Sequence, residues 1–197
     1  MTAPILHHPS PQPAATCRSR RTFLVLSAGA ALSACANGVG SSGGATIDAR
    51  VDATRNFLFS RYPGTRELAQ KAQGILWMPL VTEAGLWVGG GYGRGALRIN
   101  DVTVDYYSAT RATIGLQIGA QQYAHALFFM TEAALGDFRA SDGWAAGADA
   151  RYALPNEGAS IGRATTETAP VIALVFGQSG LIAGVTLAGI KYTRIIP

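Results

Sequence analysis

Glycine stands at positions 85, 89, 91, 93 and 95 of the stretch Gly85-Leu-Trp-Val-Gly-Gly-Gly-Tyr-Gly-Arg-Gly95, all of one parity. Side chains alternate across a strand, so in a strand these positions lie on one side and leave it nearly bare. Glycine weakens a strand and is tolerated where another backbone or a ligand comes near. The expectation is a sheet with a close-packing surface over 85–95. A second stretch, Ile114-Gly-Leu-Gln-Ile-Gly-Ala-Gln121, sets Ile114, Leu116, Ile118 and Ala120 on one face and reads as a half-buried strand.

The rest of the chain arranges itself around this sheet. Ile47, Val51, Phe57 and Leu58, with Arg50, Asp52 and Arg55 between them, predict an amphipathic helix over 47–62, capped by Thr46 or Asp48 and ended by Pro63-Gly64. Thr65 to Gln73 predicts a second short helix with Thr65 as N-cap and Gly74 as stop. Strands follow: the apolar run Ile75 to Val81, the glycine stretch, a hairpin with Asn100-Asp101 at its tip, and Tyr123 to Met130. Thr131 to Arg139 reads as a helix capped by Thr131 with Ala134, Leu135 and Phe138 inward. Asp142-Gly143 turns into Trp144 to Leu154, and Pro155 to Ala169 is polar and loop-like. Val171 to Phe176 and Leu181 to Thr193, around the turn Gln178-Ser179-Gly180, supply the last strands. The fold class is α+β: a mainly antiparallel, strongly curved sheet, with a barrel as its limit, N-terminal helices and one helix in mid-chain.

Residues 1–34 read as a targeting segment. Arg20-Arg21 leads into an apolar stretch from Thr22 to Ala34. As a helix that stretch is roughly 20 Å long at ~1.5 Å per residue, short of a ~30 Å hydrocarbon core. Leu32-Ser33-Ala34-Cys35 resembles a bacterial lipobox, which makes Cys35 the acylated first residue of the mature chain; an ordinary signal peptide is the alternative. Ser19-Arg-Arg-Thr-Phe-Leu24 also fits a twin-arginine export signal as well as a plain basic n-region. The Gly- and Ser-rich residues 35–45 then form a flexible tether, and the folded domain occupies 46–197.

Export changes the meaning of the charge. The chain carries sixteen Lys and Arg against twelve Asp and Glu, but Arg18, Arg20 and Arg21 precede Cys35 and no acid does. The mature part is therefore almost neutral, and a general nucleic-acid binder, which needs clustered excess charge, is excluded.

No catalytic constellation emerges. Gly91-Tyr-Gly93-Arg-Gly95-Ala96 meets the loose dinucleotide pattern, but a strand continues after it where a helix N-terminus would have to meet the pyrophosphate. The mature chain has one histidine, His125, inside an apolar strand, and no Gly-x-Ser-x-Gly elbow. A metal would need further ligands near His125, and the nearest acid is Glu132. Asp101 with Asp105, and Asp137 with Asp142, fall in turns and helix ends, where carboxylates are solvated. The expectation is a non-enzymatic protein without cofactor or metal.

Several motifs in order resemble one family: Ile75-Leu-Trp-Met-Pro79, Ala84 to Gly95, Tyr106-Tyr107, Gly115 to Gln121, Ala126-Leu-Phe-Phe-Met130 and Phe176 to Gly184. They are similar to the SYLF domain, also called the Ysc84 actin-binding domain, over about Ile47 to Ile195. The resemblance implies phospholipid or phosphoinositide binding, actin binding in fungal members, and no catalytic residues; bacterial members are commonly lipoproteins. Actin binding has no meaning for an exported bacterial protein. The family's lipid-contacting helix corresponds to the segment Ile47 to Lys71, which nominates Arg50, Arg55 and Lys71 for phosphate groups, with Arg94 and Arg98 as the strand and hairpin alternative. Asp48, Asp52 and Glu67 interrupt the helical cations and weaken any polybasic patch. The expected protein is an acyl-anchored lipoprotein that binds lipid at the periplasmic side of the outer membrane. The alternative is an envelope interaction module whose glycine-faced sheet packs against another polypeptide.

Overall fold

A computed structural model describes residues 41–145, 150–153, 169–177 and 187–197, with 86–87, 113–119 and 150–153 followed in backbone alone. The targeting segment with Cys35, the loop over 155–168 and the turn at 178–180 lie outside the described residues. Helices α1 (Gly43–Arg61) and α2 (Thr65–Lys71) precede strands β1 (Gly74–Ile99) and β2 (Val102–Phe129), helix α3 (Glu132–Ala140), and strands β3 (Trp144–Ala145), β4 (Ala150–Ala153), β5 (Val171–Phe176) and β6 (Lys191–Ile195). The α+β class with a curved sheet is borne out: the sheet curls strongly into a half-barrel. Its order is β3-β6-β2-β5-β4, with β1 also on β2, and every pairing among the described residues is antiparallel except β4 with β5.

The dominant feature is one long ribbon of β1 and β2, and the strands read separately at 75–81, 85–95, 114–121 and 123–130 are its limbs. Asn100 and Asp101 close it with φ of 50° and 64°, the left-handed pair of a tight hairpin turn, which these two residue types tolerate. Between Met78 and Val81 the register slips, so that Pro79 and Leu80 oppose Ala124 alone. Proline suits such a bulge because it has no N–H to give to the ladder. The bulge also swaps the faces of β1. Leu76 and Met78 belong to the inner core before it and Val81 after it, so Glu83 is carried inward as well.

The ribbon then doubles back. Between Gly85 and Trp87 of β1 lies one residue, while the facing stretch of β2, Gly115 to Gly119, holds three, so β2 takes the longer path round the bend. Beyond it the second limb of β1 crosses the first through the glycine row. A Cβ at Gly93 would stand 2.7 Å from the Leu80 carbonyl, one at Gly91 2.8 Å from Glu83 Cγ, and one at Gly95 would collide with the Trp77 carbonyl oxygen. The bare face is thus a close-packing surface, and what packs on it is β1 itself.

Both faces of the sheet are covered. Inside the curl, Leu76, Leu97, Tyr107, Leu127, Phe129 and Tyr192 pack with Leu135 and Phe138 of α3. On the outside, Ile47, Val51 and Leu58 of α1 and Leu68 of α2 pack on Trp77, Phe128, Ile172 and Phe176. β5 is buried along its whole length, as its unbroken apolar run requires. Thr131 caps α3 as expected, its hydroxyl accepting from the Ala134 N–H.

Some local readings change. α1 starts at Gly43, inside the stretch read as tether, and neither Thr46 nor Asp48 caps it. Ser41 instead donates to the Pro197 carbonyl at 2.8 Å and holds the first turn by a tertiary contact, while Thr46 donates back to the Ser42 carbonyl. Thr65 lies within α2 and donates to Tyr62 O at 2.7 Å rather than capping. Of the stretch read as a strand over Leu181 to Thr193, residues 181–186 lie outside the described residues; the described part is β6 from Lys191, after a turn with Gly189 at φ 80°. Among the described residues no helix is long and apolar enough to cross a membrane.

Candidate functional site

The outer face carries a cation clamp that locks α1 to the ribbon tip. Arg98, almost fully buried, donates to Asp52 at 2.6 Å and to the Thr103 hydroxyl, and lies 3.9 Å from Asp48. Asp48 in turn accepts from Thr103 and from the Tyr106 hydroxyl, both at 2.8 Å. The Arg98 hydrogen bond holds the Asp52 carboxyl below its ordinary range, and burial, with Asp48 beside it, pushes the Tyr106 phenol up to about 12. Arg55 adds a 2.7 Å pair to Asp101 of the turn. The acids that dilute the helical cations in sequence are therefore the partners of Arg98. The apolar residues of α1 are in the core, with Val51 and Leu58 fully buried, so the helix has no apolar face left to offer lipid in this fold.

This sorts the five nominated cations. Arg55 and Arg98 serve the clamp, and Arg98 also borders a cavity of about 310 Å³ between α1, α2 and the turn, walled by Phe59, Arg66, Trp77 and Asn100. Lys71 stands exposed at the end of α2 and lines neither this cavity nor the next. Arg50 and Arg94, 44 positions apart in the chain, come together on a second cavity of about 190 Å³ with Leu80, Tyr92, Pro79 and Thr82. The Pro79 bulge makes this possible by turning Leu80 outward, where it is 40% exposed beside Tyr92 at 54%. Two guanidinium groups bordering exposed apolar and aromatic surface suit a phosphate next to a hydrocarbon.

Inside the curl lies a second polar cluster that reading by motif missed. Glu83, 6% exposed, accepts from the Tyr123 hydroxyl at 2.6 Å, Gln121 at 2.8 Å and Arg111 at 3.3 Å. Burial, reinforced by the Glu83 carboxylate, pushes the Tyr123 phenol well above its usual range. A signal was present: Glu83 is the lone acid between Glu67 and Asp101, and Arg111 the lone Lys or Arg between Arg98 and Arg139. Isolated charges in apolar strands need one another.

His125 is fully buried, as a core histidine, with Nε2 2.8 Å from the Tyr192 hydroxyl. Its Nδ1 meets no hydrogen-bond partner among the described residues. Burial lowers its pKa from 6.5 to about 3. The folded chain therefore resists a proton that the unfolded chain accepts, and stability should fall as pH drops from about 6.5 toward 3, by up to ~1.4 kcal/mol per unit. Above pH 6.5 both states are neutral and the term vanishes. Urea midpoints between pH 7.5 and 4.5 should show this slope, and His125→Gln should flatten it; an equal slope in the variant would assign the effect to other groups.

Among the described residues no group of three or more His, Cys, Asp or Glu is placed to hold a metal ion. Comparison with protein families matches residues 110–194 to the Ysc84 model, described as Las17-binding protein actin regulator. The matched span runs from within β2 to within β6; the glycine row, which carries part of the motif resemblance, precedes it. Comparison with curated proteins finds no match.

Proposed function

Since residues 110–194 carry the Ysc84 (SYLF) domain, a premise that supports lipid or actin binding, we propose that this chain is a non-enzymatic lipoprotein that binds phospholipid. Its acyl anchor is Cys35 and it faces the periplasm from the outer membrane. The observation that carries the lipid reading is the meeting of Arg50 and Arg94 beside exposed Leu80 and Tyr92. Arg55 and Arg98, held in ion pairs with Asp101, Asp48 and Asp52, keep a structural role. The rival reading, a partner polypeptide seated on the glycine face, loses its footing where positions 91, 93 and 95 are already filled by the first limb of β1.

A Lys or Arg near an anionic surface contributes about 1 kcal/mol, so losing two should weaken binding roughly thirty-fold. Arg50→Glu with Arg94→Glu, in the compact unit spanning residues 37–197, should therefore lower co-sedimentation with phosphatidylglycerol vesicles by at least that factor and flatten its salt dependence. Undiminished binding by a double variant with unchanged circular dichroism would overturn this site.

A further inference from the structure

We propose that the cavity between α1, α2 and the ribbon tip binds a small aromatic carboxylate, independently of the lipid site. It shares no lining residue with the cavity of Arg50 and Arg94. Its volume of about 310 Å³ reaches the size at which pockets take small organic molecules, roughly 300 Å³ and upward. A cavity of ~150 Å³ is enough for one benzene ring, so this one has room for two fused rings.

The charges in its wall select the sign of the ligand. Arg98 is matched by Asp52 at 2.6 Å, and Asp101 by Arg55 at 2.7 Å. Arg66, exposed near the start of α2, makes no ion pair among the described residues. Its guanidinium is nonetheless held in place, with Cζ 5.3 Å from the centre of the Phe59 ring, inside the ~6 Å over which an aromatic face attracts a cation. One uncompensated guanidinium calls for a monoanion, and its planar fork fits the two oxygens of a carboxylate. Gln70 and Asn100 line the same space, and neither side chain hydrogen-bonds to a described residue. Each amide offers the ligand a donor and an acceptor.

The floor selects the body of the ligand. Phe59 and Ile75 are half-buried and border the cavity. Phe59 meets the buried Trp77 edge-on, with ring centres 5.9 Å apart, and Trp77 meets Phe128 in the same way at 6.0 Å. A flat aromatic ligand would extend this row of edge-to-face contacts and remove the remaining apolar surface of Phe59 from water. The α2 wall leaves space for it because position 69 carries only the methyl of alanine.

Isothermal titration of the full chain with 1-naphthoate should show one site per chain. 1-Naphthylmethanol, which has the same rings without the charge, should bind at least about ten-fold more weakly, the loss expected for a charge-assisted hydrogen bond. Arg66→Gln should bring naphthoate down to the level of the alcohol, and Ala69→Phe should remove both ligands, with circular dichroism unchanged. Arg66→Gln is a surface change and decides the matter even where Ala69→Phe does not fold. Its co-sedimentation with phosphatidylglycerol vesicles should stay at the wild-type level. Absence of naphthoate binding, equal affinity for acid and alcohol, or naphthoate binding that survives Ala69→Phe in a folded protein would each overturn the proposal and leave the lipid reading standing. Joint loss of naphthoate and vesicle binding in Arg66→Gln would also overturn it and make this cavity part of the lipid surface.

Discussion

Gly95→Ala should prevent the domain from folding, or leave it with a loss well beyond the ~1–3 kcal/mol of ordinary overpacking. The added methyl would sit on the Trp77 carbonyl oxygen and 2.5 Å from Met78 Sδ. Backbone on one side and a fully buried thioether on the other leave it no low-cost route of escape. Gly90→Ala is the control, because its methyl would meet only the Arg111 carbonyl, at an ordinary 3.5 Å. That variant should stay within about 1 kcal/mol of wild type, helped by the reduced freedom of its unfolded chain. Thermal melts of the two, side by side, read the crossing of the limbs directly. A Gly95→Ala protein melting with wild type would mean the limbs do not touch as described.

Glu83→Ala carries the second large expected effect, a loss of about 3 kcal/mol in urea unfolding. Removing one partner of a buried pair costs roughly 3–5 kcal/mol, and the lower figure applies because Arg111 keeps 16% of its side chain in solvent. The fully buried Tyr123 would also lose the acceptor 2.6 Å away. Glu83→Gln, which retains an oxygen for the Tyr123 hydroxyl, should lose clearly less than the alanine variant. Equal losses in the two would show that the charge, not the hydrogen bonds, holds the cluster.

What could be read in advance was what short-range pattern determines. The stop at Pro63-Gly64, the Asn100-Asp101 tip and the Thr131 cap each depend on a few adjacent residues, and all three sit where the spacing puts them, whereas α2 ends at Lys71 with Ala72 extended and Gly74 opens β1 instead of stopping the helix. The parity of the glycines likewise showed that their face must be close-packed. It could not show that the neighbour is another part of the same strand, because that depends on a bend 6 to 10 residues away.

The same limit governs the candidate site. Five cations were visible as cations, but their fates were decided by long-range partners: Asp48 and Asp52 for Arg98, 50 and 46 positions away, against the shared cavity of Arg50 and Arg94. Sequence spacing on α1 also foretold an apolar face without telling whether lipid or the sheet would cover it. Phe128, Ile172 and Phe176 answer that question from the far side of the chain.

The unequal lanes at the bend set which lengths of this ribbon evolution can explore. β2 exceeds β1 there by two residues, an even number, so Tyr107 and Ala109 on one limb and Tyr123 and Leu127 on the other stay on the same inner face. Adding or removing a single residue in the β2 lane would turn one limb inside out, exchanging its core side for its helix side along its whole length. Viable insertions and deletions in this lane should therefore come in pairs. An odd change should survive only where a compensating bulge, of the kind Pro79 provides in β1, restores the parity.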